Sequence, residues 1–317
     1  MHFINPLNSK KLIKNNNFLE DNEGLKVEII NGCIYIFEKK IHYSDSFGFQ
    51  WNNFNKTQID DEKNDLSYKR LQKSTNWDFK TLKNNNILEV GSGAGRFTRV
   101  FLQKSDTKLY SVDSSEAIFA NYKNNKDYIK NANLSLIKSS VYNMPFKNNS
   151  FDKVVCLGVL QHTPDVKQTI KCLIDKSKIG GEIILDFYPL KGWWTKIHAK
   201  YILRPILSKL SNKNLLKLIR FYSPFFYYIS LVLNKIGLHF LTRFFPICDL
   251  RTLPKNITNT KEWVILDTFD MFSPKYDQPQ KLSHIKKIFN NYGTKVNFCG
   301  YIKVNQTQSA IIRATKI

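Results

Sequence analysis

"NILEVGSGAGRFT", residues 86–98, decides how the rest of the chain is read. An apolar run from Ile87 to Val90 stops at three alternate glycines, Gly91, Gly93 and Gly95, and gives way to Arg96, Phe97 and Thr98. A strand that ends in such a turn and restarts as a helix presents unpaired backbone N–H groups and lets a ligand approach the main chain closely. Outward from this turn, strand-like runs recur at residues 108–112, 134–138, 153–157 and 182–187, with helical segments between them. Such alternation specifies an α/β fold with a parallel sheet and helices on both faces.

The flanks differ in character. Residues 1–80 form a polar lead with two strand-like runs, "LKVEII" and "CIYIFE", and a helix expected over 61–72. Residues 81–190 hold the alternating core. Residues 191–257 read as a helical insert, and 258–317 supply a loop ("DTFDMFSPKYDQP"), a helix over 280–290 and closing strands at 296–301 and 309–314.

With 48 Lys and Arg against 26 Asp and Glu, the 317-residue chain carries a formal charge of +22. That excess suits nucleic acid, anionic lipid or a phosphorylated substrate, although biased stretches such as "NKNLLK" supply part of it. Five scattered cysteines without a CxxC pair imply a reducing compartment, no disulfide framework and no metal site. The first residues lack the apolar run of a secretory signal. The stretch 221–234 contains Pro224 and falls short of the roughly 18 residues that span a bilayer. A cytoplasmic protein is expected, with peripheral contact at the inner face of the membrane as its closest membrane association.

Two ligand classes use a glycine-rich strand-to-helix turn. A dinucleotide fingerprint, G-x-G-x-x-G, requires glycine at position 96, where this chain has Arg96, and that counts against a nicotinamide oxidoreductase. The pattern E-x-G-x-G-x-G, beginning at Glu89, resembles the first motif of the class I S-adenosylmethionine-dependent methyltransferases, of the methyltransferase domain 11 type. The next strand ends at Asp113, about 20 positions beyond the glycines, where a carboxylate can accept from both hydroxyls of a ribose. "SSVYNMPFKNNSFDKVV" resembles the adenine-contacting turn of that family, and "LGVLQHTPDVKQTI" its substrate-facing loop.

The resemblance implies a Rossmann-like, seven-stranded sheet with helices on both faces, an N-terminal extension and an insert after the fifth strand. It implies S-adenosylmethionine as cofactor, held by Glu89, Gly91, Ser92, Gly93, Gly95, Asp113, Ser114, Ser140, Val141 and Gly158. Where the family usually has an acid, this chain has Ser140. Gln50 and Trp51 are candidates to close over the cofactor, and Arg70 to reach its methionine carboxylate. Arg96 pairs with Glu89 or faces the substrate.

Flanking segments, "YSDSFGFQW" and "WVILDTFDMFSPKYDQP", resemble a bacterial subgroup associated with surface-polysaccharide and modified-sugar pathways. Members commonly begin with a cysteine-rich, zinc-ribbon-like segment, of which only Cys33 is present here. The implied acceptor is a sugar, nucleotide-sugar or lipid-linked glycan precursor, with O-methylation preferred. A hydroxyl acceptor needs a base. His162 is the first candidate, its alternative role being to hold the loop. Asp267 and Asp270 are further bases or hydroxyl acceptors, their alternative being loop capping.

Residues 188–247 contain ten basic residues and no acid. Leu215, Leu218, Ile219, Tyr222 and Phe226 share one helical face, opposite Lys213, Lys217 and Arg220. Two compatible readings follow, a solvated lid or a surface for anionic membrane through 191–247. Nucleic acid is disfavoured as a partner, because "LGVLQH" stands where exocyclic-amine methyltransferases have an Asn- or Asp-Pro-Pro-aromatic tetrapeptide. An RNA methyltransferase and a non-catalytic, partner-binding subunit remain as alternatives.

Overall fold

The computed structural model describes residues 2–62, 64–254, 257, 259–304 and 307–317. A meander of short strands opens the chain: β1 (Ile13–Asn15), β2 (Phe18–Glu20), β3 (Lys26–Ile30) and β4 (Ile34–Ile36). Helices α1 (Asp45–Asn53) and α2 (Leu66–Thr75) follow. The alternating core comprises β5 (Asn86–Val90), α3 (Arg96–Lys104), β6 (Lys108–Asp113), α4 (Ala117–Asn125), β7 (Leu134–Lys138), β8 (Phe151–Cys156), α5 (Val166–Lys176) and β9 (Ser177–Phe187). Then come α6 (Ala199–Leu207), α7 (Asn212–Lys235), α8 (Thr260–Phe272), α9 (Leu282–Asn291) and the hairpin β10 (Thr294–Val304) and β11 (Thr307–Lys316).

All eleven strands join one sheet in the order β1-β2-β3-β4-β7-β6-β5-β8-β9-β11-β10. The stretch from β7 to β10 comprises seven strands, parallel from β7 to β9, with β11 antiparallel to β9. The expectation of a seven-stranded sheet is therefore corrected to eleven. β4 pairs in parallel with β7, so the N-terminal meander prolongs the sheet instead of lying apart. An unpaired edge at β7 would expose a row of N–H and C=O groups, and β4 satisfies it.

The central strands are near-continuous apolar runs because both faces are covered. Alternation sorts them. Leu88, Val90, Val112, Val154 and Cys156 point into one core with Ile170, Leu173, Ile285 and Phe289 from α5 and α9. Ile87, Leu109, Val155 and Leu157 point into the other, with Leu71, Phe97 and Phe101 from α2 and α3.

Two expected elements shift. The helix expected over 61–72 runs over Leu66–Thr75. Its start is fixed by Asp60, whose carboxylate accepts from the N–H groups of Ser67 (2.7 Å) and Tyr68 (2.8 Å). "DTFDMF", read as loop, is helix α8, capped by Asn259, whose side chain accepts from Glu262 N–H at 3.1 Å. Trp263, Val264, Leu266, Phe269, Met271 and Phe272 are all buried, so α8 lacks the polar face that marks a helix in a sequence.

Candidate active site

The strand order reverses at β5. The chain travels outward through β6 and β7, then returns to the other side of β5 as β8. Open α/β sheets bind ligands in the crevice at such a point, outside the carboxyl ends of the strands. Here the turn after β5 meets the turn after β8. Gly91 has φ +77, and a Cβ there would fall 2.1 Å from Val159 Cγ2. Only glycine fits.

The glycine turn is held from below and from the side. Gly93 N–H donates to Asp113 Oδ2 at 2.8 Å, while the other carboxylate oxygen accepts from the N–H (2.8 Å) and hydroxyl (2.7 Å) of Ser115. Burial raises the Asp113 pKa above the usual carboxylate value. Asparagines of α4 take the carbonyls: Asn124 Nδ2 donates to Ala94 O at 2.9 Å and Asn125 Nδ2 to Gly95 O at 3.0 Å. These asparagines escaped the sequence reading because the chain is rich in asparagine throughout.

A cavity of about 580 Å³ opens from this turn. Gly91, Ser92, Gly93, Asp113, Ser114, Val141, Gly158, Gln50, Arg70, His162, Asp267 and Asp270 all line it. Glu89, Gly95 and Ser140 are not among its lining residues. Glu89 lies beneath the turn, where its Oε2 accepts from Thr98 and Ser111 hydroxyls at 2.6 Å each. Burial pushes its pKa up to about 7. Gly95 faces α4, and a Cβ there would fall 2.2 Å from Asn121 Oδ1. Ser140 Oγ caps the following turn through Tyr142 N–H (3.3 Å) and meets Tyr43 OH at 3.2 Å. A carboxylate nevertheless reaches this corner: Glu38, just beyond β4, accepts from Ser140 N–H and from Asn143 Nδ2.

Arg70 is anchored at the cavity wall by an acid. Its Nη2 donates to Asp186 Oδ2 at 2.7 Å, and the other oxygen of Asp186 accepts from Gly158 N–H. Asp186, at the end of β9, escaped the sequence reading because it sits inside an apolar strand run. Arg96 makes no pair with Glu89. It lines the cavity, bonded to Gln58 Oε1 and to Ser67 Oγ (3.2 Å), and burial beside Arg70 lowers its pKa to about 9.

The far side of the cavity belongs to α1, α8 and the insert. Gln50 Nε2 donates to Asp270 Oδ1 at 3.3 Å and Tyr188 OH to Asp270 Oδ2 at 3.4 Å. Burial and the neighbouring Asp270 push the Asp267 pKa up to about 7. His162 is buried between Phe47 and Tyr188, with Nδ1 3.0 Å from the Tyr276 carbonyl. A carbonyl can only accept, so Nδ1 carries the proton and Nε2 the lone pair. Burial lowers the His162 pKa and keeps the ring neutral. The insert is tied over the cavity by Asp277, which pairs with Lys200 and, at 3.5 Å, with Arg204 of α6. Among the described residues no group of three His, Cys, Asp or Glu is placed to hold a metal ion.

Polar atoms without partners point to what the cavity takes. Ser92 Oγ, Gln50 Oε1 and Arg70 Nε are buried with no hydrogen-bond partner among the described residues. A Cβ on Gly93 would lie 3.1 Å from Trp51 Nε1, so the indole closes over a bare backbone. A bare turn under an aromatic lid, with an acid at the end of the next strand, fits a nucleoside-bearing ligand.

Residues 88–185 match the family model for a methyltransferase domain. S-adenosylmethionine is the cofactor of such a domain, and the residues of the crevice fit it. The chain is 30% identical across 111 residues to a tRNA U34 carboxymethyltransferase from Nautilia profundicola, covering 35% of this chain and 37% of that protein. It is also 30% identical across 129 residues to a polyketide synthase-nonribosomal peptide synthetase from Pyricularia oryzae, covering 34% of this chain and 3% of that protein. The chain thus spans little more than a third of the tRNA-modifying relative's length. Among solved structures, a magnesium protoporphyrin IX methyltransferase from Synechocystis PCC 6803 with bound S-adenosylhomocysteine superposes with a TM-score of 0.49 at 17% identity, covering 87% of this chain and 97% of that one.

Proposed function

We propose that the chain is an S-adenosylmethionine-dependent methyltransferase whose acceptor is a small hydroxylated molecule, a sugar of the nucleotide-sugar or lipid-linked glycan type. The observation that carries the acceptor class is the Asp267 and Asp270 pair facing the same cavity as the glycine turn. Hydroxyl groups donate to carboxylates, so the two acids suit the sugar ring of such an acceptor, and any phosphate it carries would lie away from them.

When bound, S-adenosylmethionine supplies an electrophilic methyl group. Gly91, Ser92 and Gly93 would offer the backbone that holds it, Asp113 would serve its ribose, and Trp51 would shield it from water. Asp267 has the pKa of a base that works near neutrality, because Asp270 and burial hold its proton affinity high. Asp267 would accept the proton of an acceptor hydroxyl, leaving that oxygen to displace the sulfonium that S-adenosylmethionine would present. Gln50 and Tyr188 fix Asp270 so that it orients the acceptor and keeps Asp267 basic. His162 Nε2, unprotonated, is a second acceptor at the same wall.

RNA is the second reading, favoured by the names of the curated relatives and by the basic insert. A non-catalytic subunit is the third, and turnover alone separates it from the others. The test is transfer of labelled methyl from S-adenosylmethionine to a panel of sugar nucleotides and lipid-linked glycans, with bulk tRNA in parallel. Label in the sugars supports the proposal. Label confined to ribonuclease-sensitive product replaces it with RNA, and binding of S-adenosylhomocysteine without any turnover replaces it with a scaffold.

A further inference from the structure

Helix α7 has two apolar faces. One packs inward: Leu215, Leu216 and Ile219 join Leu266, Phe269 and Phe272 of α8 in a buried cluster. The other faces solvent. Leu218, Phe221, Phe225, Tyr228 and Val232 recur at alternating steps of three and four residues and are exposed, Phe221 at 85% and Phe225 at 65%. Leu218, expected on one helical face with Leu215 and Ile219, is exposed where those two are buried. Elsewhere in the insert Trp193 (76% exposed), Trp194, Ile202, Ile206, Ile236, Phe240 and Phe244 are exposed as well.

Positive charge runs beside it. Lys200 and Arg204 are consumed by Asp277, but Lys209, Lys213, Lys217, Arg220 and Lys235 are exposed and make no ion pair among the described residues. By the helical step, Lys213, Lys217 and Arg220 flank the stripe on one side. No acid lies anywhere in 188–247 to neutralise them.

We propose that this face of the insert docks on an anionic lipid surface. A second copy of the chain is the poorer occupant, because a two-fold contact would set the same lysines against each other. RNA answers the lysines, and Phe221, Phe225 and Tyr228 offer rings to its bases, but the aliphatic Leu218, Val232, Ile202, Ile206 and Ile236 exposed in the same insert give a base nothing to stack on. A bilayer answers both, taking apolar side chains below its headgroups and lysines at its anionic surface. No helix among the described residues is long and apolar enough to cross a membrane, so the contact is peripheral. The docking face and the cavity share the insert: His198 and Lys200 line the cavity, and α7 begins at Asn212, after α6.

The test is co-sedimentation of the full chain with phosphatidylcholine vesicles, with and without phosphatidylglycerol. Binding is expected to be roughly tenfold or more tighter to the anionic vesicles and to weaken as salt rises. Tryptophan emission should shift to the blue, a shift lost in Trp193→Phe/Trp194→Phe. Phe221→Ser/Phe225→Ser should reduce binding by roughly tenfold, and Lys213→Gln/Lys217→Gln/Arg220→Gln should abolish its salt dependence. Both stripe residues face solvent, so far-UV dichroism and S-adenosylhomocysteine affinity should stay as in the parent. The proposal is overturned by three results: no sedimentation at low salt, stripe variants that bind as the parent does, or light scattering that shows a dimer the stripe variants break. Salt-sensitive binding to tRNA that survives loss of Phe221 and Phe225, without vesicle binding, would also overturn it and assign the charge to RNA. None of these outcomes depends on the methyltransferase reading, which the cofactor titration tests separately.

Discussion

The glycine turn and the outer face of α7 are opposite solutions to the same question of what a surface leaves unanswered. In the turn, the protein answers its own backbone: Asp113 takes the Gly93 N–H, and Asn124 and Asn125 take the Ala94 and Gly95 carbonyls. What stays open is a few directed atoms, Ser92 Oγ, Gln50 Oε1 and Arg70 Nε. On α7 the backbone is satisfied within the helix, and the open quantity is undirected apolar area with charge beside it. A directed deficit specifies a small ligand by position. An undirected one specifies only a class of surface. Chemistry should therefore be fragile in the first region and tolerant in the second.

The largest break is expected at Gly93. Its φ of +53 strains any side chain, the Trp51 indole 3.1 Å from the would-be Cβ would have to give by a few tenths of an ångström, and aspartate adds charge against Asp113. Gly93→Asp should weaken S-adenosylhomocysteine binding by more than about 100-fold, measured by calorimetry, at a strain of about 1 kcal/mol that leaves the fold intact. Binding at parental affinity would remove the cofactor assignment.

Next comes Asp267. Asp267→Asn should lower turnover by roughly 10²- to 10³-fold while cofactor affinity holds, and should erase the limb of the rate profile that rises around pH 7. The stability consequence has the opposite sign. A carboxyl whose folded pKa of about 7 lies above its unfolded value binds more protons folded than unfolded. Stability then falls as pH climbs from about 4 to 7 and stays low above that. Asp267→Asn should accordingly raise Tm at pH 8 and by less at pH 5, in thermal melts at both values. A variant that loses turnover without the stability gain would place Asp267 in ordinary capping.

Asn125→Ala sits below these. Removing the donor to Gly95 O and the bond to Asn121 Oδ1 (2.8 Å) loosens the turn without entering the cavity. An affinity loss of about fivefold to tenfold is expected by calorimetry, equivalent to about 1 kcal/mol.

These sites were not equally visible beforehand. β5, β6, β8 and the glycine turn were legible because a fully buried strand is an unbroken apolar run and the turn needs residues that tolerate positive φ. Helix α8 was not, since burial on nearly all sides removed its periodicity. Asp186 hid inside a strand, and the α4 asparagines hid in a background rich in asparagine. Nothing local could announce Glu38, whose partner Ser140 lies 102 residues away. Ser140 looked like a missing acid. The structure shows a carboxylate delivered to that corner by the N-terminal meander, once β4 joins the sheet beside β7.

That exchange gives the smallest and most pointed prediction. Glu38 accepts from Ser140 N–H and from Asn143 Nδ2 (2.9 Å), and so fixes the turn that carries Val141 into the cavity. Glu38→Gln keeps one acceptor oxygen but turns an amide donor toward another donor, which should cost about 1–2 kcal/mol of stability and a few-fold in S-adenosylhomocysteine affinity. Ser140→Asp alone should also weaken binding, because it sets a second carboxylate against Glu38. The two together should recover most of the loss, since the double variant has one carboxylate at the corner, on the other strand. Calorimetry and melts on the four proteins of this cycle give the coupling directly. Additive losses would mean that Glu38 braces the meander alone and that the corner has no need of an acid.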